Sequence, residues 1–375
     1  MNRNTLTVGF AVFTMFFGAG NMVLPLFLMQ KWSNYWLPAF IGFCITAVFV
    51  TLLGLISSVL AQGDIKKFFA PLGLIGGLIL QIILIAIEGP FGIVPRSLIV
   101  AFGGVETLWP NFSPHLFYFL SCVLVFFLAI DKNRIVKVIG TLVTPVMLLF
   151  LLFIIIYSFS NYGFSGIDLK LNNSEAFVDG LLEGYLTYDL PGAIYFTSIA
   201  MAYLTAINSN KKDILSNGIK SSFVSAILLI FVYSLFIYLG LSHKALLHEV
   251  SPEQILPTII KGAFGPILSF IFVIFIFLAC ITTAIAAITI WSDFIHHYFP
   301  KLNYRGILAA SLSIAFIVSS LGFTHLMKLL GPVLNFIYPI LICLTIYNII
   351  IGLKSGIEQQ QQNQELPLDK TSYEK

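Results

Sequence analysis

Asp189 offers the most chemistry in this chain, because it is a carboxylate inside a segment that otherwise reads as a membrane span. It stands in Leu186-Thr187-Tyr188-Asp189-Leu190-Pro191-Gly192, where Pro191 and Gly192 prevent a continuous helix. A carboxylate within a bilayer is expensive and is a functional candidate by default. It could receive an ammonium group, bind a cation or carry a proton; the plain alternative is a place at the membrane interface, where Asp is cheap. A matching interruption, Gly18-Ala19-Gly20-Asn21 followed by Pro25, lies inside the hydrophobic run 5–29. Unwinding there frees carbonyls near Thr14 and Phe17 and N–H groups near Ala19, Gly20 and Asn21. Helix C-termini attract cations and N-termini attract anions. One break could therefore hold a sodium ion on one side and a carboxylate on the other. The alternative is a kink used for close helix packing.

Two further clusters carry polar groups into apolar segments. In Ala279-Cys280-Ile281-Thr282-Thr283 the carbonyl of Ala279 and the two hydroxyls fall at i, i+3 and i+4, on one helix face. They would suit a hard cation that wants oxygen ligands; the bland alternative is hydroxyls bonded back to a carbonyl one turn earlier. In Glu88-Gly89-Pro90-Phe91-Gly92-Ile93-Val94-Pro95-Arg96 two charges lie eight residues apart, roughly the same side of a helix. That spacing allows an ion pair, although Pro90 and Pro95 bend the helix between the two charges. Glu88 as a proton site is the rival reading, and for Arg96 the rival is snorkelling to the interface. His296 and His297 sit at a membrane edge and receive no role.

The elements that must position these groups are membrane helices. The 375 residues are 58% hydrophobic and 10% charged, with mean hydropathy +0.95. A soluble domain carries about 25% charged residues, so this is an all-α polytopic membrane protein. The net charge of +3 does not point to nucleic acid. Cys44, Cys122, Cys280 and Cys343 lie in apolar stretches without metal-ligand spacing and read as small core residues. Hydropathy and turn residues give about ten spans, at 5–29, 34–61, 72–101, 113–130, 135–160, 175–207, 214–241, 264–298, 306–321 and 325–353. The first is read as an uncleaved span rather than a signal peptide. Residues 161–174 form a polar loop and 243–261 another, with a short helix from Pro252. The Gln-rich segment 354–375 reads as a disordered polar tail.

Lys66, Lys67, Lys132, Arg134, Lys137, Lys211, Lys212, Lys220, Lys301 and Arg305 fall in alternate connections, with Arg3 and Lys354 on the same side. Only Lys31, Lys170, Lys244 and Lys261 fall on the other. The positive-inside rule then puts both termini in the cytoplasm. Ten spans divide into five plus five: residues 1–160, and an inverted second repeat over 161–353. The breaks then occupy the first helix of each half, spans 1 and 6. Matched breaks of this kind point to the binding site of a secondary transporter. No Gly-Lys-Ser/Thr phosphate loop argues for ATP-driven pumping. A membrane-embedded enzyme using Asp293, His296 and His297 on a metal is one competitor; a channel or structural protein is another.

Several words in this sequence resemble the branched-chain amino acid carrier family, the bacterial LIV-II type transporters. They are Phe17-Gly18-Ala19-Gly20-Asn21, Gly89-Pro90 with Pro95-Arg96, Gly184-Tyr185-Leu186-Thr187-Tyr188-Asp189 with Gly192-Ala193, Ala279-Cys280 with Thr283-Ala284, and Pro332-Val333-Leu334 with Tyr338-Pro339. The resemblance spans nearly the whole chain. It implies a LeuT-like inverted-repeat fold in a bacterial plasma membrane, and symport of leucine, isoleucine and valine with sodium, or with protons, and no other cofactor. A proton-coupled carrier of another small apolar amino acid is the runner-up. The resemblance also implies site residues. The substrate carboxylate would lie on the amides of Ala19 and Gly20, beside Asn21, with its ammonium near Thr187, Asp189 and Gly192. The apolar side chain would meet Phe91, Tyr185, Phe196 and Ile281. Sodium would take the carbonyls of Thr14, Phe17 and Ala279 and the hydroxyls of Thr282 and Thr283. Two departures stand out. Family members usually have twelve helices against ten here, and the expected transport core is complete without the last two. The family's Ser-Phe-Glu after the Pro-Arg is replaced by Ala101-Phe102-Gly103, while Glu88 stands where the family is usually apolar and could be Arg96's partner.

Overall fold

The computed structural model describes residues 3–130, 149, 151–161, 170–207, 210–247 and 250–365. The described chain is helical throughout, with no strands among the described residues. Span 1 is two helices, α1 (Arg3–Phe16) and α2 (Ala19–Trp32), separated at Phe17-Gly18. Span 2 comprises α3 (Trp36–Cys44), a π-helical segment Ile45–Val50, and α4 (Thr51–Leu60). A short α5 (Ile65–Phe69), capped by the Asp64 carboxylate on the amides of Lys66 and Lys67, leads into span 3.

Span 3 is where local chemistry departs most from expectation. The sequence predicts a bent helix; the structure has α6 (Gly73–Glu88) and α7 (Ile93–Leu108), with Gly89–Gly92 non-helical between them. Pro90 supplies no N–H, and the turn is widened: Phe91 N bonds Ala86 O and Val94 N bonds Gly89 O, both five residues back. A Cβ on Gly89 would sit 2.8 Å from Trp291 Cβ, so this interruption packs directly on a neighbouring helix.

The remaining helices are α8 (Pro114–Ile130), α9 (Leu151–Asn161), α10 (Ser174–Tyr185), α11 (Asp189–Ile207), α12 (Lys211–Ser242), α13 (Ile255–Tyr298), α14 (Tyr304–Ser319) and α15 (Phe323–Glu365). The predicted span 5 and its basic flank Lys132, Arg134 and Lys137 lie largely outside the described residues. The short helix expected from Pro252 is present, and α13 is divided at Gly265, whose φ of +74° favours glycine. The predicted disordered tail is corrected in part, because α15 runs on through Glu365. Lys, Glu and Gln are good helix formers, and no proline intervenes until Pro367. Cys343 is also corrected: it is exposed on α15 rather than packed in the core.

Two packed bodies emerge. In one, α1 to α4 pack with α10, α11 and α12; in the other, α6, α7, α8, α13 and α14 pack together. Glycines let backbones approach closely in the first body: α3 meets α10 at Gly42 and Gly180, against Phe177 and Ala39. Large apolar side chains such as Leu74, Ile75, Ile227 and Phe336 point outward, at 64–89% exposure. Such a surface suits lipid rather than water.

Candidate functional site

The breaks in spans 1 and 6 face one another, and a buried polar cluster ties them together. Helix α10 ends in a tightened turn, with Leu186 N on Glu183 O and Tyr188 N on Tyr185 O. Tyr188 then takes φ +64°, a left-handed conformation uncommon for a large side chain and a marker of functional strain. Helix α11 begins at Asp189, with Gly192 N bonding Tyr188 O. Pro191 is tolerated there because first-turn amides have no intrahelical acceptor.

Asp189, 2% exposed, accepts from Asn21 Nδ2 on both carboxylate oxygens (3.0 and 3.1 Å) and from Tyr233 Oη at 2.7 Å. Asn21 Nδ2 also donates to Tyr233 Oη at 2.5 Å. Asn21 stands in the first turn of α2 and Asp189 in the first turn of α11. A carboxylate is favoured at a helix N-terminus. The interface alternative for Asp189 is thereby corrected: this carboxylate is buried at the joint of three helices. Tyr233 was not singled out from the sequence. It sits in the apolar run of α12 and is indistinguishable there from a packing aromatic; its ring meets Phe43 edge-on at 5.0 Å.

Arg96 reaches the same place from α7. It is 3% exposed, which overturns snorkelling. Its Nη1 donates to Leu186 O and its Nη2 to Thr187 O at 3.3 Å, and Cζ lies 4.4 Å over the Tyr188 ring. The carbonyls released by the break in span 6 thus find a cationic donor, which a bilayer could not supply. The guanidinium also presses on span 1: a Cβ on Gly20 would fall 2.5 Å from Cζ and Nη2. The expected Glu88–Arg96 ion pair is not formed. No carboxylate lies within 4.0 Å of Arg96 among the described residues. The non-helical Gly89–Gly92 segment removes the helical register on which the eight-residue spacing relied. Glu88 is 4% exposed, and its Oε1 has no hydrogen-bond partner among the described residues.

At the other face of the first break, Thr283 approaches Gly18. The position of a Gly18 Cβ lies 3.3 Å from Thr283 Oγ1, so a side chain there would press on the threonine hydroxyl. Gly18 itself is extended (φ −126°, ψ −168°). Thr282 and Thr283 both donate to the Ala279 carbonyl, at 2.8 and 3.0 Å, and Thr14 donates to Phe10 O at 2.8 Å. A hydroxyl that donates still keeps lone pairs to offer a cation. The carbonyls at the C-end of α1, Thr14 among them, lie in the turn that leaves acceptors free, and Phe17 N closes on Phe13 O.

The proposed apolar contacts are dispersed. Ile281 is buried, and Gly192 packs near Phe196 and Phe16, whose rings are 5.5 Å apart. Tyr185 meets Tyr338 at 4.4 Å. Phe91 is 39% exposed, and among the described residues no ring contact joins it to Tyr185 or Phe196. Ala19, Gly20, Thr187 and Gly192 are all buried beside the breaks, and the Thr187 hydroxyl bonds Gly184 O. Among the described residues no group of three or more His, Cys, Asp or Glu side chains could hold a metal. His296 instead contacts Leu302 O.

The C-terminal end of α2 and the neighbouring helix α10 carry a second cluster of charged groups. Lys31 pairs with Glu183 at 2.5 Å and with Asp179 at 3.5 Å, and Trp32 Nε1 donates to Asp179 at 2.7 Å. An open depression lined by Lys31, Trp32, Ser174, Glu175 and Asp179 lies there.

Comparison with known proteins agrees with this architecture. The family model described as branched-chain amino acid transport protein matches residues 1–364. A branched-chain amino acid carrier protein of Staphylococcus saprophyticus is 30% identical over 364 residues, covering 91% of this chain and 80% of that protein. Its counterpart in Staphylococcus haemolyticus is 30% identical over 391 residues, covering 98% and 86%. Among solved structures, the chain resembles MHP1, a nucleobase-cation-symport-1 family transporter in a closed conformation with bromovinylhydantoin bound. The TM-score is 0.61 at 14% identity, over 90% of this chain and 77% of that one. It also resembles an Eremococcus coleocola manganese transporter, with TM-score 0.55 at 13% identity over 92% and 86%. These likenesses establish the LeuT-like transporter fold.

Proposed function

The chain belongs to the branched-chain amino acid transport protein family, and from that premise we propose that it imports leucine, isoleucine and valine by symport with sodium. The observation that carries this reading is the closed polar centre between the two broken helices. The centre holds two buried acids, Asp189 and Glu88, and one buried base, Arg96, with no carboxylate within 4.0 Å of the guanidinium among the described residues. Two negative charges against one positive leave the centre one charge short of neutral when all are ionised. An uncompensated charge in a membrane interior is costly. A zwitterionic amino acid does not change the balance, whereas a monovalent cation restores it. A proton on either carboxylate or a sodium ion beside them would restore it, which supports coupling to a cation.

The cation would lie between the C-end of α1 and α13, on the carbonyls of Thr14, Phe17 and Ala279 and the hydroxyls of Thr282 and Thr283. It would then join one packed body to the other, as Arg96 does on the opposite side of the break. Rocking of the two bodies would expose the centre alternately to each face. The two five-helix repeats would be 1–160 and 161–353, with both termini cytoplasmic in a bacterial plasma membrane. The family and fold are those of transporters rather than enzymes, and nothing in the centre is arranged to break a bond. The substrate is a small molecule and the protein works within a lipid bilayer.

Replacing Thr282 and Thr283 together by Val tests the cation site. The change keeps shape and removes two oxygen ligands. Half-saturating sodium for leucine uptake is expected to rise roughly tenfold, in line with a lost ligand interaction of about 1–2 kcal/mol. Uptake with unchanged sodium dependence would place the cation elsewhere.

A further inference from the structure

We propose that Glu88 and Arg96 form the two poles of a recognition site for the α-ammonium and α-carboxylate of an amino acid, with Glu88 taking the ammonium. The inference rests on the amino-acid transport reading above and deepens it.

The argument starts from what is already bonded. Asp189 is the obvious acid at the breaks, yet both of its oxygens are occupied, by Asn21 Nδ2 and Tyr233 Oη. A carboxylate so engaged is a joint between helices and has little left to offer a ligand. Glu88 differs. It is buried at 4% exposure, and Oε1 has no partner among the described residues. Arg96, at 3% exposure, likewise keeps Nε unpartnered after Nη1 and Nη2 have reached Leu186 O and Thr187 O. The two are close enough for their charges to interact, yet no contact within 4.0 Å joins them. The hydroxyls of Tyr188 and Tyr195 are buried and, among the described residues, unpartnered too.

Buried polar groups are almost always satisfied, so a concentration of orphans in one place calls for an explanation. A buried acid and base near one another would ordinarily pair directly. Here the break at Gly89–Gly92 sets Glu88 at the end of one helix and Arg96 in the first turn of the next. The tether of the guanidinium to the span 6 carbonyls then keeps it from Glu88. A ligand that inserts an ammonium toward Glu88 and a carboxylate toward Arg96 and the first-turn amides of α2 satisfies both and adds no net charge. An α-amino acid has those two groups on one carbon. The site also explains why an acid stands at position 88, which the fold alone does not require.

The test is binding of labelled leucine to purified full-length protein at saturating sodium, competed by leucine, 4-methylpentanoate (no ammonium) and 3-methylbutylamine (no carboxylate). On the unaltered chain each truncated analogue is expected to compete on the order of 10- to 100-fold more weakly than leucine. Glu88→Gln is expected to weaken leucine by a similar factor while leaving 4-methylpentanoate unchanged, so that the preference for leucine collapses. Glu88→Asp, which keeps the charge, should restore part of the preference. If Glu88→Gln does not give monodisperse protein, Glu88→Asp and the analogue series on the unaltered chain decide. Equal competition by 4-methylpentanoate and leucine on the unaltered chain would overturn the proposal. So would a Glu88→Gln protein that binds leucine normally, including one in which only the pH profile changes, since that would make Glu88 a proton carrier. Absence of any leucine binding by the unaltered chain would instead sink the transport reading itself.

Discussion

Replacing Gly20 with leucine is expected to abolish leucine uptake while the protein still inserts in the membrane. A Cβ at position 20 would lie 2.5 Å from Cζ and Nη2 of Arg96 and 2.6 Å from Nη1. The guanidinium is the far end of a flexible side chain, but here it is held by two backbone carbonyls and the Tyr188 ring. To make room it must leave Leu186 and Thr187, whose carbonyls would then have no donor within the membrane. Leucine adds further atoms over the first-turn amides of α2, where a carboxylate would approach. The effect falls on binding rather than on insertion, because span length is unchanged and hydrophobicity rises. The expected uptake is at background, with surface expression near that of the unaltered protein. Retained uptake would show that Gly20 serves helix packing alone.

Replacing Asp189 with leucine is the second change with a large expected effect. It keeps the branched four-atom skeleton and removes the acceptor of Asn21 Nδ2 and Tyr233 Oη. Those two groups can still bond one another, but the contact that joins α2 and α12 to the start of α11 is gone. Leaving buried donors without their acceptor costs about 1–3 kcal/mol. Arg96 also loses a nearby counter-charge. The expected outcome is a lower unfolding temperature in detergent together with loss of uptake. Asp189→Asn, which keeps one carbonyl acceptor, should fall between the two in stability. A leucine variant as stable and as active as the parent would remove Asp189 from the centre of this account.

Much of the architecture could be read from the sequence because lipid punishes exceptions. Glycine, proline and Asp within hydrophobic runs marked both breaks, and the structure interrupts the chain at Phe17-Gly18 and at Leu186–Tyr188. Two kinds of feature escaped. Tyr233 lies 44 residues from its Asp189 partner in a helix whose apolar pattern hides a functional hydroxyl. The partners of Arg96 are main-chain carbonyls, which every residue possesses and no sequence can single out. The Glu88–Arg96 pairing failed for a third reason. Spacing predicts a shared face only if the helix is continuous, and Gly89–Gly92 ends it. Lys31 was counted for its orientation charge alone, although its chemistry is spent on Glu183 and Asp179.

The most direct test of the central claim is accumulation of labelled leucine in proteoliposomes of the purified protein, with sodium and proton gradients imposed separately. An inward sodium gradient is expected to drive saturable accumulation that valine and isoleucine inhibit, while a proton gradient in sodium-free buffer leaves uptake at background. Accumulation driven by the proton gradient alone, or none under either gradient, would contradict sodium-coupled import of branched-chain amino acids.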